Sequence, residues 1–284
     1  MISPLRLLRI SRPRFWIYLL GPYLLGITAA NPPLFPANTL RFLVFALYFT
    51  LPANLMLYGV NDISDYDTDK LNPKKQDYEA LVLPQERKGL IWLIVVTSLP
   101  FALVLVSSVW GPALPYLLVF LALSIFYSLP PVRAKTRPLI DSAFNVLYAM
   151  PGFFGWSLAG GRSVSMPILL ASAAWTMAMH AFSAVPDIES DRGASITTIA
   201  TKLGRSTTII VCLALYAVAA ALSYQCLGYA AVFIGAVYAF LMTMALMARS
   251  ERGIMNLYQL FPLVNTAAGG LIFCTIYILK HAKM

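Results

Sequence analysis

The chain has 284 residues, of which 59% are hydrophobic and 12% charged, with a mean hydropathy of +0.73. So apolar a composition excludes an ordinary soluble domain of this size, and the chain reads as a polytopic all-α membrane protein. Its net charge of +9 fits a basic rim facing anionic lipid rather than a nucleic-acid footprint, and no nucleic-acid partner is expected.

Nine stretches could cross about 30 Å of hydrocarbon at roughly 20 residues each. They lie near residues 15–32, 40–60, 89–108, 113–130, 139–159, 166–186, 207–226, 229–248 and 257–279. The first follows Arg6, Arg9, Arg12 and Arg14, and no small-residue cleavage site follows it, so it reads as a retained helix. Several segments contain Pro or Gly, which spanning helices tolerate when neighbours satisfy the freed backbone groups. Trp110-Gly111-Pro112 and Leu227-Gly228 are so short that the helices flanking each must be antiparallel neighbours. Cys212, Cys226 and Cys274 share no metal-ligand spacing and read as small apolar packing residues. A cytoplasmic N-terminus and an external C-terminus put 17 of the 21 Lys and Arg inside, as the positive-inside rule requires. The same topology puts all twelve carboxylates on that side.

Seven of those twelve carboxylates fall in two short runs, Asn61–Asp69 and Asp187–Asp191, each ending a hydrophobic segment. On a continuous helix Asn54, Tyr58, Asp62, Asp65 and Asp69 share one face, as do His180, Asp187 and Asp191. Asp67 and Glu189 point away from those faces. The runs echo each other in Val60-Asn61-Asp62 and Val185-Pro186-Asp187, so two facing carboxylate clusters around one pocket are expected. Gathered carboxylates repel unless cations neutralise them. Hard divalent ions such as Mg²⁺ take one or two carboxylates, with water and substrate phosphate completing the shell. Asp62, Asp65, Asp69, Asp187 and Asp191 are therefore the expected metal ligands.

An anionic substrate also needs cations from the protein. The proline-stiffened turn Tyr127–Pro138 supplies Arg133, Lys135 and Arg137, where Arg grips phosphate oxygens through parallel N–H bonds and Lys acts as a point charge. Lys70, Lys74, Lys75 and Lys202 are weaker candidates. Tyr58, Tyr127 and Tyr148 offer ring faces to a cationic intermediate. Asn145 and His180 are polar residues in membrane segments and hence functional candidates, and His180 could position an acceptor or take its proton.

Together, Asn-Asp-x-x-Asp-x-x-x-Asp at 61–69, Tyr127-Ser128-x-Pro-Pro-x-Arg133-x-Lys135, and Asp187-x-x-x-Asp191 followed by Thr198-x-Ala200-x-x-Leu203-Gly204 resemble a UbiA-type intramembrane prenyltransferase. The likeness runs through essentially the whole chain and includes Arg12-Pro13 before the first segment. It implies a single membrane domain over residues 1–284, folded as a barrel-like bundle of nine helices with a cytoplasmic mouth, in a cell (inner) membrane. It also implies that the aspartates hold Mg²⁺ and an isoprenyl diphosphate. The flanking Asn54–Asp62, Asn72-Pro73-Lys74-Lys75, Glu79–Pro84 and Phe182–Arg192 are similar to the lycopene elongases of C50 carotenoid synthesis.

On that reading Asp62, Asp65, Asp187 and Tyr127 are the catalytic groups, while Asn61, Arg133, Lys135, Asn54, Tyr58 and His180 bind the diphosphate and prenyl chain. The hydrophobic acceptor is a carotenoid, or alternatively an aromatic precursor of quinone or chlorophyll-type lipids. A cation-coupled transporter and a merely structural lipid-binding protein are the alternatives from other classes. Transporters concentrate ionisable groups near the bilayer midplane, whereas here they gather at segment ends.

Overall fold

The computed structural model describes residues 2–32, 36–70, 80–108 and 113–281. Every regular element among them is helical. The chain divides into two compact units, one of residues 1–133 with 150–162, the other of residues 134–149 with 163–284.

The first unit holds α1 (Pro4–Ile10), α2 (Ile17–Ala30), α3 (Pro36–Tyr48), α4 (Leu51–Ser64), α5 (Tyr66–Asp69), α6 (Arg87–Ser108), α7 (Leu114–Ser128) and α9 (Met150–Leu158). Its core is aromatic: Tyr23 lies against Phe49 at 5.1 Å between ring centroids, and Phe45 meets Phe154 edge-on at 4.9 Å. Buried Tyr23 donates its hydroxyl hydrogen to the Phe42 carbonyl, satisfying the one polar atom it brings inside. Helices α2 and α9 pack backbone to backbone. A Cβ on Gly26 would lie 2.0 Å from the Gly152 carbonyl oxygen, and one on Gly155 would lie 2.5 Å from that of Tyr23. Small residues permit such approach where apolar side chains gain nothing by leaving lipid. Ahead of the spans, α1 is tied to the 80–86 segment. Arg6 donates from Nε and Nη2 to the two Glu86 carboxylate oxygens, and from Nη2 also to the Leu81 carbonyl.

The second unit holds α8 (Ile140–Ala143), α10 (Met166–Ser183), α11 (Ile188–Gly193), α12 (Ile199–Leu203), α13 (Arg205–Leu227), α14 (Tyr229–Met247) and α15 (Glu251–His281). Phe182 stacks on Phe261, and Tyr216 on Tyr238 at 4.2 Å. Buried Tyr238 donates to Asn265 Oδ1, which accounts for that polar residue structurally. Helices α13 and α14 meet at Gly228, whose φ of +54° suits glycine, so the expected tight hairpin is present. The companion turn at Trp110-Gly111-Pro112 lies outside the described residues. Cys212 is buried and donates its thiol to the Ala178 carbonyl, whereas Cys226 and Cys274 are exposed rather than packed inside.

Among the described residues five stretches are long and apolar enough to cross a membrane: Thr39–Ser64, Met166–Gly193, Arg205–Leu227, Tyr229–Met247 and Glu251–Lys280. Leu40, Phe240 and Leu263 are among many large apolar side chains facing outward, as suits a hydrocarbon solvent. The expected span 139–159 is not one helix. It runs as α8, a 3-10 turn Phe144–Tyr148, and α9 with Pro151 in its first turn, where a proline has no N–H to continue an incoming ladder.

Candidate functional site

In the first unit the site is built on α4. The chain breaks between α3 and α4, ahead of Pro52, and the Asn54 Nδ2 donates to the freed carbonyls of Phe49 at 3.1 Å and Thr50 at 2.6 Å. The amide hydrogens of Asn54, one of the expected substrate-binding residues, are committed to this backbone repair, as a buried break requires. Beyond it α4 is buried from Pro52 to Gly59, then reaches Asn61 and Asp62. Asp62 is only 1% exposed, and Arg12 Nη2 donates to its Oδ1 at 2.9 Å. The same guanidinium lies 4.6 Å from the centroid of the Tyr58 ring, which Phe15 flanks at 5.9 Å. Arg12 is thus no lipid-facing charge. It holds φ at +51° before Pro13, an uncommon backbone for a side-chain-bearing residue.

Asn61 Oδ1 accepts a hydrogen bond from the buried Ser128 Oγ at 2.8 Å, joining the first aspartate motif to the end of α7, where partly exposed Tyr127 sits. The acidic stripe does not continue on one helix. Asp65 ends α4 with a non-helical φ of −107°, and Asp69 closes the four-residue α5, its N–H donating to the Asp65 carbonyl. Asp65 is partly exposed and Asp69 buried. The side chain of Asp67, and Asn72 to Lys75 with Glu79, lie outside the described residues. Lys70 and Arg87 both lie 5.7 Å from the Tyr66 ring. Arg133 is exposed, with φ +46°.

In the second unit Lys135 is buried on the 3-10 turn Ala134–Thr136, while Arg137 is exposed. The second aspartate motif is also segmented. Helix α10 ends at Ser183, a 3-10 turn Val185–Asp187 carries Pro186, and α11 begins at Ile188, so His180 and Asp187 do not share one α-helix. Asp187 and Asp191 are both half-buried. Thr198 Oγ1 donates to Asp191 Oδ2 at 3.4 Å. Glu189 is 84% exposed and 3.4 Å from exposed Arg192, a solvated pair of little energetic weight. Asp141, fully buried, accepts from the Ser142 N–H through Oδ1 and from the Ile199 N–H through Oδ2, both at 2.7 Å. His180 Nε2 is 3.9 Å from Asp141 Oδ2, and Asn145 donates to the Asp141 carbonyl.

Sequence reasoning thus gave no site role to Arg12, Asp141 or Thr198, although Arg12 and Thr198 stand in the motifs that carry the family likeness. For Arg12 the signal was the Arg-Pro step before the first segment, and for Asp141 it was a lone carboxylate inside an apolar stretch. Among the described residues no three His, Cys, Asp or Glu side chains converge as metal ligands. The candidate ligands Asp62, Asp65, Asp69, Asp187 and Asp191 are nonetheless all carboxylates, hard oxygen donors that fit a hard cation needing only one or two of them from the protein.

The model of the UbiA prenyltransferase family matches residues 19–259. The chain is 43% identical to a lycopene elongase/hydratase of Haloarcula japonica over 215 residues, covering 75% of this chain and 72% of that protein. To the lycopene elongase/hydratase of Haloferax volcanii it is 38% identical over 266 residues, 93% of this chain and 85% of that one. A solved UbiA homolog from Archaeoglobus fulgidus bound to GPP and Mg²⁺ has a similar fold, with a TM-score of 0.67 at 20% identity over 95% of this chain and 99% of that one.

Proposed function

The chain belongs to the UbiA prenyltransferase family, and from that premise we propose that it transfers an isoprenyl group from an allylic diphosphate to a linear carotene, with Mg²⁺ as cofactor. The acidic end of α4, with Asp62 paired to the Arg12 guanidinium that lies against the Tyr58 ring, is the observation that carries this reading. It puts a metal-competent carboxylate, a phosphate-competent cation and an aromatic face within one turn of a membrane-crossing helix.

In this reading Asp62, Asp65 and Asp69 of the first motif and Asp187 and Asp191 of the second are the carboxylates that would hold Mg²⁺. When bound, Mg²⁺ adds positive charge where the leaving group develops negative charge. Arg133 and Lys135 grip the diphosphate oxygens, and the Asn61 amide donates to them. The allylic C–O bond breaks with its electron pair going to the diphosphate, which leaves an allylic cation. Aromatic faces such as Tyr58 and Tyr127 stabilise that cation, and the apolar helices exclude water from it. A terminal alkene of the carotene attacks to form the new C–C bond, and the product cation loses a proton or captures water.

The carotenoid acceptor draws support from relatives named as lycopene elongase/hydratase that cover three quarters or more of this chain. The basic N-terminal side is assigned to the cytoplasm of a cell membrane by the distribution of Lys and Arg. The test is membranes containing the protein, supplied with Mg²⁺, labelled dimethylallyl diphosphate and either lycopene or 4-hydroxybenzoate. Label in a lengthened carotenoid is the expected result; transfer to 4-hydroxybenzoate alone would replace the acceptor assignment.

A further inference from the structure

We propose that Asp141 is a positioning residue for the second aspartate motif, acting through Ile199 and Thr198 on the Asp191 carboxylate. The inference rests on the reading that Asp187 and Asp191 hold a divalent cation. A fully buried carboxylate is costly unless hydrogen bonds satisfy it, and one of the two Asp141 bonds is to a residue 58 positions away.

That distant partner is Ile199, the first residue of α12, a helix of five residues and too short to be stable by its own hydrogen bonds. Two attachments hold its first turn. One is the reciprocal cap in which Thr198 N–H donates to Thr201 Oγ1 at 2.8 Å and Thr201 N–H donates to Thr198 Oγ1 at 3.3 Å. The other is Asp141 Oδ2 on the Ile199 N–H. Between them they fix Thr198, whose hydroxyl reaches Asp191 Oδ2. The Asp191 carbonyl in turn accepts from the Ile196 N–H at 2.8 Å, so the loop after α11 is tied to Asp191 at two points.

His180 completes the arrangement. It lies on α10, the helix that leads into the Asp187 turn, with Nε2 3.9 Å from Asp141 Oδ2. The same carboxylate thus faces the helix before the motif and the backbone after it. The two metal-motif aspartates are flanked by elements that meet at Asp141. Partners that orient ligating carboxylates set metal affinity as strongly as the ligands' own chemistry does.

Asp141→Asn keeps the size of the side chain but leaves one acceptor oxygen, so it can satisfy only one of the two backbone N–H groups. Thr198→Val keeps the shape of Thr198 and removes the hydroxyl on Asp191, while Thr198→Ser keeps the hydroxyl. The probe is Mn²⁺, titrated with inorganic pyrophosphate into purified full-length protein and read by electron paramagnetic resonance, with Tm recorded for each variant. Both Asp141→Asn and Thr198→Val should weaken apparent Mn²⁺ affinity by about tenfold, and Thr198→Ser should restore it. Wild-type Mn²⁺ affinity in a folded Asp141→Asn, even with lowered Tm, makes Asp141 merely structural and overturns the proposal. Should Asp141→Asn not fold, the Thr198 pair decides, and wild-type affinity in Thr198→Val overturns it. Wild-type affinity in Asp187→Ala and Asp191→Ala overturns the metal reading itself. Weakened affinity there with no change in the Asp141 and Thr198 variants overturns only the positioning role.

Discussion

The two aspartate motifs are alike in sequence and unlike in construction. The first grows out of a long buried helix, and its leading carboxylate, Asp62, is paired with a guanidinium that also covers an aromatic ring. The second sits on short segments around Pro186, with Asp187 and Asp191 half-buried and held through a neighbouring loop. Asp62, on the buried helix and paired with Arg12, keeps its place without a ligand. Carboxylates on short helices need external anchors, which Thr198 and Asp141 supply. Two similar acidic motifs can therefore rest on two kinds of support, with mutations in them failing in different ways.

The largest effects should come from removing a leading carboxylate. Asp62→Ala and Asp187→Ala should each lower prenyl transfer by about 100-fold to 1,000-fold, the scale of losing one group that stabilises developing charge, measured as pyrophosphate release from membranes. They should differ in stability. Asp62→Ala removes the buried carboxylate from a guanidinium that is itself only part-buried and should also lower Tm, because a hydrogen bond to a charged group contributes roughly 1.5–3 kcal/mol. Asp187→Ala, at a half-buried carboxylate, should lower Tm less, and equal losses of Tm would erase the contrast.

Next comes the frame of the first motif. Gly26→Val puts a side chain where a single Cβ already lies 2.0 Å from a backbone oxygen, so it should destabilise the protein at or above the upper end of the roughly 1–3 kcal/mol typical of overpacking. Thermal unfolding in detergent reads this, and an unchanged Tm would deny the close packing of α2 and α9. Arg12→Lys keeps the charge but loses the planar fork and ring stacking. It should reduce activity about tenfold, the scale of one charged hydrogen bond, with full activity showing that charge alone suffices.

The smallest effect lies outside the spans. Hydrogen bonding from Arg6 holds the Glu86 carboxyl below the ordinary carboxylate range. A depressed folded pKa contributes stability above the unfolded value, and this is lost as pH falls through the folded one. The Tm deficit of Glu86→Gln should therefore be constant near neutral pH and shrink only below the ordinary carboxylate range. A deficit that grows in acid would reverse the assignment. Glu189→Gln, altering a solvated carboxylate, should change neither Tm nor activity.

The hydrophobic segments and both acidic runs were legible in the sequence because membrane spans and charge clusters are local patterns. The demotion of Glu189 was legible too, since helical phase alone turns it outward. What the sequence hid was the interruption of its own helices. Extending a straight helical face from Asn54 to Asp69, or from His180 to Asp191, ignores the ends at Asp65 and Pro186 and the repair role of Asn54. The partners of Asp62 and Asp191 were hidden for a different reason. Arg12 lies 50 residues from Asp62 and Asp141 lies 58 from Ile199, and no local periodicity reports a contact at such separation. Arg12 therefore read as one of four rim arginines, and Asp141 as one of twelve carboxylates on the same side.

The claim that both motifs serve one metal-dependent step is tested most directly by chelation. Membranes containing the wild-type protein are given labelled dimethylallyl diphosphate and lycopene, stripped of divalent ions with EDTA, and then titrated with Mg²⁺. Transfer should fall to background on stripping and return with Mg²⁺ in the wild type, but not return in either Asp62→Ala or Asp187→Ala. Transfer that continues in EDTA, or that Mg²⁺ restores in either variant to the wild-type level, would contradict the account.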